Sequence, residues 1–581
     1  MPPHVPVRVR AGTVAGARMS ALTLLGLTSA SGHAQPTGAT DPTLRAEVRR
    51  TLACAALLVV LWPAVTRPLA AQQAPPASVP VYDLLIRNGR VLDGSGNPWV
   101  RADVAVAGDR IVAVGDLRTA RARRVLDAAD RYVAPGFIDT HSHAGPGLAT
   151  PALSAGVPLL AQGITTVFVN PDGGGSVDLA EQRRQLTAVR PGVNVALMVP
   201  HGSVRSRVLG MQDRAATAAE LDAMRALVRA GMEAGAFGLS SGPFYAPGSF
   251  APTTELVELA KVAAAYGGAY TSHIRDESDY TIGVNAAVGE VIRVASEAKL
   301  RGVVTHIKAL GPRVWGQGAA LAAKIDSARA AGVEVFADQY PYEASGTSLS
   351  ASLLPRWAEV GGGDALRARI ADPATRRRLV AGMRENLERR GGAERLQFSR
   401  FEPDPSIEGE TLRQVADARR QDPVDAALAL IARGSVGVVS FNMDSADIRT
   451  LMRQPWTMTA SDGDLVPMGR GVPHPRAYGT FPRKLRKYAL DEGAVDLAAA
   501  VRSMTSLPAL VYGVRDRGTL RAGARADLVV FDAARLRDQA TYTRPHQLAE
   551  GMVYVLVNGA LAVDAGRVTD ARGGRVLSRR E

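Results

Sequence analysis

From residue 217 onward the chain repeats an amphipathic helix followed by a short apolar strand. The helical segments are residues 217–235, 255–265, 288–299 and 319–331. The strands that follow end in polar residues spaced 33, 33 and 32 positions apart, which are Ser240, His273, His306 and Asp338. Equal spacing of this size is typical of repeated βα units, so we predict an α/β fold built on a (β/α)8 TIM-like barrel.

Four further apolar segments supply the other strands, three of them earlier and one later in the chain. They are YVAPGFIDTHSH ending at His143, GITTVFVNPD ending at Asp172, VNVALMVPH ending at His201 and WTMTASD ending at Asp462. An arginine-rich, helix-prone insertion spans about residues 343–455, and its strand at 436–441 is an alternative seventh strand. Active sites of such barrels lie at the carboxyl ends of the strands, where these polar residues fall.

Short strand-like pieces with turn signals flank the predicted barrel on both sides. They occupy residues 82–133 and 518–567, which predicts a small antiparallel sheet with strands from both ends. We therefore expect an accessory β-sandwich domain from residues 76–134 and 510–581, with the barrel from 135 to 509.

The segment before residue 76 has the pattern of an export signal. Arg49 and Arg50 precede the apolar run 51–65, and small residues near Ala71 provide a cleavage site. We expect cleavage near Ala71 and a periplasmic or secreted protein, although an uncleaved anchor is the alternative. Residues 1–47 have no place before such a signal, so we interpret residues 1–75 as a spurious extension plus signal peptide, with Val48 as the candidate start.

Composition and charge narrow the function. With 46% hydrophobic and 22% charged residues the chain is not mostly disordered, and no later apolar run is long enough for a stable membrane span. The net charge of +13 includes seven arginines before Ala71, and the other basic residues are dispersed, so we expect no nucleic-acid partner. The only cysteine, Cys54, lies in the signal. Any metal must therefore be held by nitrogen and oxygen.

Four histidines at predicted strand ends indicate a metal site. His141 and His143 are two residues apart, so both imidazoles can face one ion, although this pair alone could equally be solvated in a loop. His273, His306, Asp172 and Asp462 end other strands of the same barrel. A set of histidine and carboxylate ligands suits Zn²⁺ or a similar divalent ion.

Several motifs together resemble one family. PGFIDTHSH at 135–143 is similar to the signature of the metal-dependent amidohydrolase superfamily. Over about residues 80–570 the chain resembles one branch of that superfamily, the D-aminoacylases or N-acyl-D-amino-acid deacylases. The motifs that carry this resemblance are GITTV (163–167), FGLSSGPFYAPG (237–248), SHIRDE (272–277), THIK (305–308), DQYPYEAS (338–345), ASDG (460–463) and HPRAYGTFPR (474–483).

The resemblance implies a metal centre in which each of these residues has a particular role. His141 and His143 would hold the more exposed metal position, His273 and His306 the tighter one, and Asp462 would be the general base. Where the family usually has a bridging cysteine, this chain has Asp172. Asp172 is either a bridging ligand or part of a turn with Gly173–Gly175, and an oxygen ligand should loosen zinc and tolerate Mn²⁺ or Co²⁺ better. We expect one or two divalent ions.

The resemblance also implies the substrate, an N-acyl-D-amino acid hydrolysed at its amide bond to a carboxylate and a free D-amino acid. Tyr245, Lys308, Tyr340 and Arg476 are the candidates for binding its α-carboxylate. We expect His201 to support the site without ligating metal. The sequence leaves the oligomeric state open.

Two other functions stay open as alternatives. The first is another amidohydrolase reaction, either ring opening of a cyclic amide or hydrolysis of a β-linked dipeptide. Relatives with those activities usually bridge their metals with a carboxylated lysine, and no lysine occurs between residues 75 and 260. The second is a non-catalytic exported binding protein on the same barrel, which would have no need of a general base at Asp462.

Overall fold

The computed structural model describes residues 81–580, so the predicted signal segment lies outside the described residues. The strands are β1 (Val81–Val91), β2 (Val100–Ala107), β3 (Arg110–Gly115), β4 (Arg121–Asp127), β5 (Tyr132–Pro135), β6 (Phe137–Asp139), β7 (Ile164–Val169), β8 (Asn194–Leu197), β9 (Val199–Pro200), β10 (Gly238–Ser241), β11 (Ala269–Ser272), β12 (Gly302–Val304), β13 (Val335–Gln339), β14 (Ser345–Ser348), β15 (Leu396–Arg400), β16 (Gly437–Ser440), β17 (Thr457–Thr459), β18 (Leu528–Phe531), β19 (Met552–Val557), β20 (Ala560–Asp564) and β21 (Arg567–Val568). The α-helices are α1 (Gly145–Leu148), α2 (Val157–Leu160), α3 (Leu179–Val189), α4 (His201–Leu209), α5 (Ala218–Glu233), α6 (Thr253–Ala265), α7 (Val284–Ala298), α8 (Gly318–Ala330), α9 (Leu349–Leu353), α10 (Gly362–Ala371), α11 (Pro373–Arg389), α12 (Leu412–Ala418), α13 (Pro423–Arg433), α14 (Ser445–Met452), α15 (Arg476–Arg483), α16 (Leu497–Met504) and α17 (Ser506–Tyr512). A π-helix, Lys484–Asp491, continues α15, and short 3₁₀ turns occupy Gly248–Phe250, Arg356–Glu359, Ala393–Arg395 and Pro405–Ile407.

The parallel strands form the predicted (β/α)8 barrel. One ladder has the order β6-β7-β8 and the other the order β9-β10-β11-β12-β13-β17, with β8 and β9 consecutive along the chain. Beyond the ladders, the Asp462 amide donates to His141 O at 2.8 Å and the His143 amide to Gly463 O at 3.0 Å. These bonds join the last strand to the first at their carboxyl ends. Because β13 pairs directly with β17, the alternative strand at 436–441 does not belong to the barrel.

The helices between the barrel strands lie close to the predicted segments. Helix α5 begins directly after Thr217, whose hydroxyl accepts from the Glu220 amide while the Glu220 carboxylate accepts from the Thr217 amide, a complete capping box. Buried residues such as Met224 and Val228 pack in the same apolar core as the strands. No helix in residues 81–580 has the length and apolar composition to cross a bilayer.

Strands from both ends of the described chain share one accessory sheet. Its nine strands run in the order β21-β20-β19-β18-β5-β1-β2-β3, with β4 beside β1. The prediction of a purely antiparallel sheet is wrong for two pairings, since β4 and β5 both run parallel to β1. The reason is the connection after β3, because β2 and β3 fill one side of β1 as a meander and the chain then crosses to its other side.

The predicted insertion carries its own small sheet and core. Strands β14, β16 and β15 pair antiparallel in that order, and β16 is the strand that was the alternative barrel strand. Leu353, Leu379, Phe398 and Val438 belong to a separate apolar cluster in this region. Residues of the insertion such as Gly346 and Val438 line a cavity together with residues at the carboxyl ends of the barrel strands.

Candidate metal centre

The six residues predicted as metal ligands or general base meet at the carboxyl ends of five barrel strands. His141 and His143 follow β6, Asp172 follows β7, His273 follows β11, His306 follows β12 and Asp462 follows β17. Their potential ligand atoms form two groups, each with all atoms within 4.8 Å of one another. The first group is His141, His143, Asp172 and Asp462, and the second is Asp172, His273 and His306.

Asp172 lies between the two groups and contacts every histidine. Its Oδ1 lies 3.2 Å from His141 Nε2, 3.6 Å from His273 Nδ1 and 3.4 Å from His306 Nε2, while its Oδ2 lies 3.3 Å from His143 Nε2. Oδ1 therefore contacts histidines of both groups, and Oδ2 contacts His143 of the first group. This is the arrangement that a bridging carboxylate requires.

The donor set fits a divalent metal. His141 Nε2, Asp172 Oδ1 and both ring nitrogens of His273 are buried and make no hydrogen bond within residues 81–580. Buried polar atoms without partners are costly, and native proteins satisfy them or use them to hold an ion. Because the donors are nitrogen and oxygen with no thiolate, zinc and harder divalent ions such as Mn²⁺ and Co²⁺ are all chemically compatible.

Three residues of the centre adopt left-handed backbone angles. The φ values are 55° at Asp172, 36° at His306 and 51° at Asp462. Non-glycine residues rarely adopt such angles, and those that do cluster at functional sites, where the surrounding structure holds them. Asp172 therefore lies in a turn, as one of the two alternatives predicted, and its carboxylate also contacts the histidines, as the other alternative requires.

The electrostatic surroundings keep both carboxylates charged. Burial acts to raise the pKa of Asp462, but the Arg476 guanidinium and the contact with His143 outweigh it and hold that pKa well below its usual range. Burial likewise opposes ionisation of Asp172, and His141 outweighs it, so that pKa is also well below the usual range. Asp462 Oδ1 lies 3.1 Å from His143 Nε2 and 3.5 Å from His141 Nε2.

A cavity of about 1640 Å³ opens over the centre and includes all four predicted substrate-binding residues. Arg476 Nη1 donates to Asp462 Oδ2 at 2.6 Å, and its guanidinium lies 4.8 Å from the Tyr340 ring centre. The Tyr245 hydroxyl lies 3.2 Å from Thr347 Oγ1. Lys308, Tyr340, Tyr245 and Arg476 are thus gathered in one cavity, and their contacts with substrate stay a prediction.

The sequence did not lead us to predict Glu277, which contacts both Lys308 and the histidines of the second ligand group. Its carboxylate contacts Lys308 Nζ in a short hydrogen bond and lies 3.1 Å from His306 Nδ1 and 3.6 Å from His273 Nε2. Burial opposes its ionisation, but His273 and Lys308 outweigh burial and lower its pKa. Its place four residues after His273 in SHIRDE was the available signal. Glu277 orients His306 in the manner of an outer carboxylate behind a metal-ligating histidine.

Two of the other described histidines, His201 and His474, have partners outside the two ligand groups. His201 Nε2 lies 2.9 Å from Glu255 Oε1, and Glu255 also pairs with buried Arg205. His474 Nε2 lies 2.9 Å from the Ala344 carbonyl oxygen. Among residues 81–580, neither belongs to a group of three or more side chains that could hold a metal.

Comparison with known proteins places this arrangement among similar chains. A profile described as the amidohydrolase family matches residues 124–563. N-acyl-D-glutamate deacylase of Alcaligenes xylosoxydans xylosoxydans is 38% identical over 527 residues, which is 86% of this chain and 96% of that protein. A solved D-aminoacylase structure, reported for the role of its binuclear metal centre, has 33% identity and a TM-score of 0.74 over 86% of this chain and all of its own. N-acyl-D-glutamate deacylase of Bordetella bronchiseptica, solved with zinc and a phosphonate mimic of the tetrahedral intermediate, has 34% identity and the same TM-score and coverage.

Proposed function

The chain belongs to the amidohydrolase family, and from that premise we propose that it hydrolyses the amide bond of N-acyl-D-amino acids. The products are a carboxylate and a free D-amino acid. Membership agrees with the resemblance found in the sequence. The observation that carries the proposal is the meeting of four histidines and two ionised carboxylates at the mouth of one barrel, with all of them except His141 lining a single cavity.

The proposed cofactor is a divalent cation, with zinc as the first candidate and one or two ions bound. His273 and His306 would hold one ion, His141 and His143 the other, and Asp172 would bridge them. When bound, such an ion activates water and polarises the scissile carbonyl, which supplies the electrophilic help that a stable amide needs.

Asp462 is the proposed general base. Its carboxylate is ionised and lies beside His143, so it can accept a proton from the attacking water and deliver it to the departing nitrogen. Arg476 holds the second oxygen of this carboxylate at 2.6 Å and so fixes its orientation. Lys308, Tyr340 and Tyr245 line the remaining wall and supply donors for the substrate's α-carboxylate.

We propose in addition that the protein is exported. The support is the pattern of Arg49 and Arg50, the apolar run 51–65 and the small residues at Ala71. N-terminal sequencing of the native protein tests this directly: a mature start near residue 72 supports export by cleavage, and any residue before 48 contradicts the interpretation of the extension.

The activity is tested by hydrolysis of N-acetyl-D- and N-acetyl-L-amino acids by metal-reconstituted protein, with metal content determined on the same sample. Turnover confined to D-substrates is the expected result. Full metal loading without turnover of any D-substrate would contradict the proposal, and cyclic amides and β-linked dipeptides would then be assayed on the same preparation.

A further inference from the structure

His474 begins the motif that carries Arg476, and the proposed mechanism gives it no role. It lies two residues before Arg476, the first residue of α15, is 6% exposed and lines the catalytic cavity. Arg476 in turn donates to the carboxylate of the proposed general base, Asp462, at 2.6 Å. The contacts of His474 therefore bear on how Arg476 and Asp462 are held.

Both ring nitrogens of His474 have backbone partners. Its Nδ1 accepts from the Arg476 amide at 3.0 Å, and its Nε2 lies 2.9 Å from the Ala344 carbonyl oxygen. A backbone amide only donates and a carbonyl oxygen only accepts, so Nδ1 carries no proton and Nε2 carries one. The ring is therefore neutral and is held in one tautomer. Burial and the neighbouring Arg476 guanidinium act in the same direction, because both lower the pKa of His474 well below its usual value.

The first bond places the start of α15. The first amides of a helix have no acceptor within the helix and need one from outside. Pro475, at the cap position, makes no side-chain hydrogen bond to these amides. Instead the His474 ring accepts from the Arg476 amide, and the His474 carbonyl oxygen accepts from the Ala477 amide at 3.2 Å. His474 thus fixes the backbone from which the Arg476 side chain extends.

The second bond holds the segment that receives the Arg476 guanidinium. Ala344, the partner of His474 Nε2, lies two residues before Gly346 in β14, and Arg476 Nη2 donates to the Gly346 carbonyl oxygen at 3.5 Å. The His474 ring therefore ties the helix that carries Arg476 to the strand that one arm of its guanidinium reaches. The other arm, Nη1, holds Asp462.

Three tyrosine rings enclose the imidazole. The His474 ring centre lies 6.1 Å from that of Tyr340, 5.3 Å from that of Tyr342 and 5.2 Å from that of Tyr542, each in an edge-on arrangement. The Tyr542 hydroxyl makes no hydrogen bond within residues 81–580, so Tyr542 contacts His474 by packing alone. The packing of the ring and its hydrogen bonds can therefore be removed separately.

We propose that His474 is a positioning residue, which acts through Arg476 on the general base Asp462. This inference rests on the proposed function. The neutral imidazole fixes the Arg476 backbone with its acceptor and the opposing strand with its donor. The guanidinium of Arg476 then holds the Asp462 carboxylate beside His143. Misplacement of a catalytic group by about 1 Å can lower the rate about 100-fold, even when the substituted residue is far from the reacting atoms.

Three variants separate the two hydrogen bonds. His474→Phe keeps an aromatic ring and removes both bonds. His474→Asn restores an acceptor for the amide two residues later, as asparagine does in an Asx turn, and the longer His474→Gln restores a donor towards Ala344. We expect kcat to fall about 10- to 100-fold in His474→Phe and His474→Gln and to stay within about threefold of the parent in His474→Asn, with equal metal content throughout.

Tyr542→Leu is the matched control, because it removes one ring around His474 and neither of its hydrogen bonds, and Tyr542 does not line the cavity. It should lower the melting temperature and leave kcat unchanged. A loss of kcat in Tyr542→Leu as large as that in His474→Phe would overturn the proposal, as would equal losses in His474→Asn and His474→Phe. Should His474→Phe not fold, His474→Asn against His474→Gln makes the same comparison.

Crystal structures of the variants separate this inference from the proposed function. If the parent hydrolyses no D-substrate, the proposed function fails, and the structures still report the position of Arg476. The distance from Arg476 Nη1 to Asp462 Oδ2 should stay near 2.6 Å in His474→Asn and exceed about 3.2 Å, the upper end for such a hydrogen bond, in His474→Phe and His474→Gln. An unchanged distance in His474→Phe and His474→Gln would overturn the inference.

Discussion

Asp172→Asn is the most informative change in the metal centre. Asparagine keeps the size of the side chain and tolerates the left-handed backbone at φ 55°, so the turn with Gly173–Gly175 should persist. The substitution removes the only anionic member of the group with His273 and His306, and the residue that both groups share. We therefore expect folding to be retained while metal binding is weakened.

The magnitude follows from the contacts. Substitution of a residue that hydrogen-bonds to a metal ligand, without contacting the metal itself, changes metal affinity about 10–100-fold. Asp172 lies within 3.6 Å of all four imidazoles, as a direct ligand would. Its loss should weaken zinc binding by at least about 100-fold, equivalent to roughly 3 kcal/mol.

The assay is competition for zinc between the metal-free protein and a chelating indicator, with stoichiometry from elemental analysis and folding from circular dichroism. Asp464→Asn is the control, since Asp464 lines the same cavity without belonging to either ligand group. Affinity for zinc within about threefold of the parent, a difference of less than 1 kcal/mol, would refute the reasoning and assign Asp172 to the turn alone.

Two further predictions concern single side chains. Asp462→Asn should keep its full metal content and lose at least about 100-fold in kcat, which is the contribution expected of a general base. A metal-loaded variant that keeps a tenth of the parent activity would contradict that assignment. Burial lowers the pKa of Lys484 to about 7. Between that value and the pKa of about 10.4 in the unfolded chain, the unfolded state holds a proton that the folded state lacks, so this group makes stability rise with pH. The free energy of unfolding is measured with urea at pH 7 and at pH 9.5. It should rise less between these pH values in Lys484→Met than in the parent. An equal rise in both proteins would show that Lys484 stays charged.

The barrel could be predicted because its signals are local. Each helix from α5 to α8 carries an apolar stripe, each strand that follows is a short apolar run, and the spacing of their polar ends reports the repeat. Since the carboxyl ends of parallel strands meet, His273 and His306 could be placed together from the sequence alone. The same logic reached His141, Asp172 and Asp462 on other strands.

What could not be predicted depends on contacts between distant segments. The approach of Glu277 to Lys308 and His306 requires the loop after β11 to fold towards β12. The parallel pairing of β1 with β4 depends on which side of β1 the chain reaches after β3.

The accessory sheet has a consequence for how the chain reaches its native state. Strand β5 pairs with β18, in the register Ala134 with Val529, so this edge waits for a partner about 400 residues away, a contact order that slows folding. Until the barrel has formed and carried β18 back, the unpaired edge of β5 is open to pairing with other chains. The speed of barrel folding thus governs how much protein aggregates before the last strands arrive. Because pairing between chains depends on their concentration, refolding at a lower protein concentration should raise the soluble yield more than conditions that only strengthen the finished fold.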